Sequence, residues 1–87
     1  MSNIDAGTKV SLTKWMFKVY WPTMGDSADF RLQSKIGSWI GQNEKILNKK
    51  KAVDVSRLIY DEFGSVSAVL VEERGGFGQA AWLRGDH

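Results

Sequence analysis

The chain has 87 residues, of which 43% are hydrophobic and 25% charged, with a formal net charge of +2. That mixture suits one folded domain and excludes both a disordered chain and a second core. There is no cysteine and His87 is the one histidine, so disulfides, thiolate metal sites and the usual nucleophile–base pairs lack their parts.

No apolar run reaches membrane-spanning length, and "MSNIDAGTK" does not read as a signal peptide. A soluble, cytoplasmic protein is expected, with no membrane, metal or cofactor. Charge is uneven: residues 1–51 carry nine Lys/Arg against four Asp/Glu, and residues 52–87 carry three against six. A basic end and an acidic end follow if the fold keeps the halves apart.

Residues 1–9 show no period and read as a flexible arm, leaving 10–87 as a single α+β domain. In "VSLTKWMFKVYWP", Trp15, Phe17, Val19 and Trp21 alternate, which predicts a strand over 12–21 with that face buried. Lys14, Met16, Lys18 and Tyr20 fall on its other face. A helical stripe through Leu12, Trp15, Met16, Val19 and Tyr20 competes. Pro22 ends either element.

"PTMGDSAD" reads as a loop, after which Ser27 or Asp29 can cap a helix. Gly37 and Gly41 oppose a long helix, each costing about 1 kcal/mol relative to alanine. The pattern therefore predicts a short extended or helical piece at 29–36, then a helix from 38 to 48. "NKKK", with Lys45, sits where cations can satisfy the last carbonyls of that helix. "DVSRLIYDEFG" predicts a helix over 54–63 with Asp54 as N-cap and Gly64 in the left-handed position.

From 66 to 83 the pattern is a β-hairpin turning at Gly75–Gly76. A two-residue turn there pairs Arg74 with Phe77, Glu72 with Gln79, Val71 with Ala80 and Val69 with Trp82. The expected fold is thus α+β: an antiparallel sheet of three to four strands, ending in this hairpin, with two helices on one face. Its core is expected to comprise Trp15, Phe17, Val19, Ile40, Leu58, Ile59, Phe63, Val69, Val71 and Trp82.

Two surfaces emerge as candidate sites. The hairpin tip gathers Glu72, Glu73, Arg74 and Phe77 for a protein partner. Lys14, Lys18, Lys45, Lys49, Lys50 and Lys51, with Tyr20 among them, form a candidate phosphate-binding surface that Arg31 and Lys35 extend. The order helix, helix, hairpin is similar to that of a winged-helix domain, although Asp54, Asp61 and Glu62 make the second helix poorly suited to a DNA groove. "GGFGQAAW" resembles the aromatic–glycine strand of RNA-recognition domains over eight residues, but Gln79 stands where a second aromatic belongs, so that family is not assigned.

The acidic pairs Asp61/Glu62 and Glu72/Glu73 are adjacent and point apart, which leaves no carboxylate pair for catalysis. The expectation is therefore a non-enzymatic protein that docks on another protein as an inhibitor or adaptor. Its size and lack of a catalytic set are similar to those of phage inhibitors aimed at host nucleic-acid-directed enzymes. The alternative is a winged-helix-like nucleic-acid-binding module using the basic N-terminal half.

Overall fold

The computed structural model describes residues 5–76 and 78–84. The chain runs β1 (Asp5–Ser11), β2 (Trp15–Pro22), α1 (Asp26–Gln42), α2 (Glu44–Leu47), α3 (Ala52–Glu62), β3 (Ala68–Glu73) and β4 (Ala80–Arg84). The strands form one antiparallel sheet in the order β1-β2-β3-β4. The helices lie on one face of it, with α1 over β1 and α3 over β3 and β4. The α+β class holds, with four strands and three helices.

Alternation in β2 points Trp15, Phe17, Val19 and Trp21 at the helices, and all four are buried. Both indoles carry an N–H that needs an acceptor once the ring leaves water. Trp15 Nε1 donates to the Leu47 carbonyl at 3.0 Å, and Trp21 Nε1 to Asp29 Oδ1 at 3.0 Å. Asp29 also accepts from the Thr23 hydroxyl at 2.6 Å and from the Met24 N–H at 2.9 Å. It thereby ties the β2–α1 loop together instead of acting as the helix cap, a place taken by Gly25 at φ 106°.

Across the sheet, Val69 and Val71 of β3 and Ile36, Ile40, Val55 and Ile59 of the helices complete the core. Val66, in the α3–β3 connection, and Leu47, in α2, are buried with them.

Several expectations are corrected. Residues 5–9 of the expected arm belong to β1, which pairs with β2 along its whole length. The expected break between a piece at 29–36 and a helix from 38 does not occur: α1 is one helix of 17 residues through both Gly37 and Gly41. Neither glycine has a neighbour within 4 Å of where a Cβ would sit, so packing of Leu32, Ile36, Trp39 and Ile40 overrides the propensity cost. That helix ends at Asn43, and Glu44–Leu47 is a separate turn. Helix α3 starts at Ala52, two residues before Asp54, and Gly64 is not at positive φ.

The hairpin differs in register. Gly75 and Gly76 do take positive φ, at 98° and 77°. The Glu73 N–H, however, bonds the Gln79 carbonyl at 2.8 Å, which closes a five-residue connection rather than a two-residue turn. Glu72 therefore faces Ala80, Val71 faces Ala81 and Leu70 faces Trp82. A one-residue slip turns every side chain of β4 over. Trp82 leaves the expected core and stands 49% exposed, while Ala81 packs inward. Leu58 and Phe63 are half-buried against the core rather than within it.

The uncovered sheet face as candidate site

Helices cover one side of the sheet, so the odd-numbered face of β1 and the even-numbered faces of β2, β3 and β4 carry no layer of described residues. Cross-strand register arranges them in rows: Lys9, Lys18, Leu70, Trp82; then Gly7, Tyr20, Ala68, Arg84; then Ser11, Met16, Glu72, Ala80. The centre is apolar and aromatic. Tyr20 meets Trp82 edge to face, with ring centroids 6.2 Å apart at 62°. The Tyr20 ring also lies across Gly7 so closely that a Cβ there would come within 2.7 Å of Cδ1. Tyr20 is thus held between a bare backbone and a second aromatic.

Around that block stand Lys9, Lys18 and Arg84 against one carboxylate, Glu72, among the described side chains. None of the three cations has a hydrogen-bond or ion-pair partner among the described residues. Lys9 and Lys18 are directly opposite one another in the β1–β2 ladder. Like charges so placed destabilise a sheet by a fraction of a kcal/mol, roughly 0.2–1. A cost of this kind is what a binding surface carries. A shallow depression lies there, lined by Gly7, Thr8, Lys9, Lys18 and Tyr20.

The expected tip site does not assemble as one surface. Glu72 belongs to the uncovered face, opposite Met16. Glu73 accepts the Gln79 N–H at 3.1 Å. Arg74 is bound to the β1–β2 turn, through its N–H to the Lys14 carbonyl at 2.8 Å and Nη1 to the Leu12 carbonyl at 3.2 Å. Phe77 lies outside the described residues.

The lysines also divide. Lys18 lies on the uncovered face. Lys14 Nζ donates to the Asn48 carbonyl at 3.1 Å and sits 4.8 Å from the centroid of the Trp15 ring, so it is a structural strut. Lys45, Lys49, Lys50 and Lys51 occupy the α2–α3 junction at the end of the sheet where both β-turns lie. Lys9, Arg84 and the outward Trp82 were not expected. Alternation in β2 already separated Met16, Lys18 and Tyr20, but nothing local marked β1 or the slipped register of β4.

Among the described residues no cluster of three His, Cys, Asp or Glu is placed to hold a metal, and no helix is long and apolar enough to cross a membrane. No family model matches the chain, and comparison with curated proteins and with solved structures finds no significant match.

Proposed function

We propose that the protein is a non-enzymatic inhibitor or adaptor that docks another protein on the uncovered face of its sheet. The observation that carries this reading is the outward Trp82, set against Tyr20 at the middle of an apolar patch rimmed by Lys9, Lys18 and Arg84. Tryptophan, tyrosine, methionine and arginine are the residues that dominate protein interfaces, as a desolvated centre with a polar rim. Among the described side chains of this face, three cations against one acid favour a partner whose contacting surface is acidic. Phe30 is more exposed, at 62%, but has no second aromatic among its pocket neighbours Ser27, Arg31, Ser34 and Lys35.

The facing lysines favour a second reading, in which the same face receives a single-stranded nucleic acid. Stacking platforms present free ring faces to successive bases. Here Tyr20 is occupied by Gly7 on one side and Trp82 on the other, and Glu72 stands within the patch, which places the protein partner first.

Photo-cross-linking in the cells that make the protein distinguishes them. Trp82→p-benzoylphenylalanine should give a discrete adduct that protease destroys and nuclease leaves intact. The same group at exposed Arg57, on α3, should give none. Adding Lys9→Glu with Lys18→Glu should reduce the adduct at least several-fold. A nuclease-sensitive adduct would select the second reading, and equal labelling from both positions would sink both.

A further inference from the structure

We infer a second, separate interaction surface at the α2–α3 junction, where Lys45, Lys49, Lys50 and Lys51 bind the phosphodiester backbone of a nucleic acid without base preference.

A run of lysines after a helix ordinarily has a structural occupation, because the last carbonyls of the helix need donors. Here other groups fill that role. The Leu47 carbonyl accepts from Trp15 Nε1 at 3.0 Å and from the Lys50 N–H at 3.1 Å. The Asn48 carbonyl accepts from Lys14 Nζ at 3.1 Å, and those of Glu44 and Ile46 from the N–H groups of Asn48 and Lys49. The ammonium groups of Lys45, Lys49, Lys50 and Lys51 have no partner among the described residues. Three of these side chains are exposed and Lys50 is half-buried. The sequence places no carboxylate between Lys45 and Val53. Four cations within seven residues, with no structural work and no counter-charge between them, make a concentrated positive surface.

The backbone beneath them is fixed from several directions. Besides the Trp15 and Lys14 bonds, the Thr13 N–H donates to Glu44 Oε2 at 3.3 Å and the Ala52 N–H to Gln79 Oε1 at 3.0 Å. The junction is thereby pinned to both β-turns, so the charges are held on a rigid base.

The chemistry fits a polyphosphate chain better than a lipid surface. Ile46 and Val53 are the exposed apolar side chains nearby, and among the described residues no exposed aromatic accompanies them to enter a bilayer interface. Lysines are point charges on flexible stems, suited to phosphates and not to reading base edges. Nothing in 45–53 offers a stacking ring. This surface is independent of the uncovered face, so either can fail without the other.

The test is fluorescence anisotropy of labelled 20-mer duplex DNA and 20-mer oligo-dT with the full chain, at 50 and 200 mM salt. About four phosphate contacts predict an affinity loss on the order of a hundredfold between those salts for duplex. Lys49→Glu with Lys50→Glu should abolish binding while the thermal midpoint stays unchanged. Arg31→Glu with Lys35→Glu, which alters net charge equally on α1, should leave it within about twofold. The proposal is overturned by absence of binding at 50 mM salt, or by binding that survives the Lys49/Lys50 reversal. It is equally overturned if Lys9→Glu with Lys18→Glu removes binding and the junction variant does not. Binding to phosphatidylserine vesicles without binding to either oligonucleotide would overturn it as well.

Discussion

Single side chains hold this fold where strands meet helices. Trp21 and Asp29 are the sharpest case, because one half-buried carboxylate accepts an indole N–H, a hydroxyl and a backbone N–H. The Thr23 hydroxyl, then the Met24 N–H, hold its carboxyl below its ordinary value of 3.8, against the opposing effect of burial. A carboxylate depressed in the folded state contributes stability above its unfolded pKa, and that contribution is lost as pH falls through the folded value. Asp29→Asn should therefore be less stable than the parent at pH 7. The gap should close progressively below about pH 3.8. Urea titrations of both proteins from pH 7 to pH 2 measure it, and a gap independent of pH would refute the role of the charge.

At the scale of elements, strong periods were legible and tertiary decisions were not. Alternation in β2 identified its buried face and, with it, Met16, Lys18 and Tyr20 of the candidate site. The apolar stripe of Val55, Leu58 and Ile59 identified α3. Helix α1 was obscured because Gly37 and Gly41 are poor helix formers whose cost is outweighed by packing on the other side of the helix. Strand β1 was obscured because only Ala6 and Val10 pack against the core, too few for a visible alternation. The hairpin register depends on Gln79, whose carbonyl pairs with Glu73 and whose side chain binds the N–H of Ala52 in α3, a contact 27 residues away that no local pattern contains.

Pairing of β1 with β2 has its own test at Gly7. A strand glycine replaced by alanine ordinarily gains about 0.5–1 kcal/mol. Here the new Cβ would meet the Tyr20 ring at 2.7 Å and the Val19 carbonyl at 3.1 Å. Overpacking of that kind costs about 1–3 kcal/mol. Gly7→Ala should thus lose about 1 kcal/mol net in urea unfolding and displace Tyr20 from Trp82, seen as weakened nuclear Overhauser contacts between the two rings. A gain in stability with those contacts intact would show that β1 does not lie as described.

Over the whole molecule, the two parts of the chain lie side by side: β1 and β2, with α1, come from the basic part, β3 and β4, with α3, from the acidic part, and they meet where β2 pairs with β3. The hairpin is not a separate wing, since β3 is an inner strand of that sheet. What results is a molecule with three kinds of surface: a helix-covered side that carries the core, an uncovered aromatic face rimmed by cations, and a lysine-rich end. The proposed docking role would use the uncovered aromatic face, where Trp82 stands outside a core that buries Trp15 and Trp21.

That outward Trp82 is the claim on which the proposed function turns, and equilibrium urea denaturation of Trp82→Ala tests it most directly. With the ring half exposed and in edge-to-face contact with Tyr20, the loss should be about 1 kcal/mol. A loss of about 3–5 kcal/mol, the range for truncating a buried tryptophan, would place the ring in the core and leave the uncovered face without its anchor.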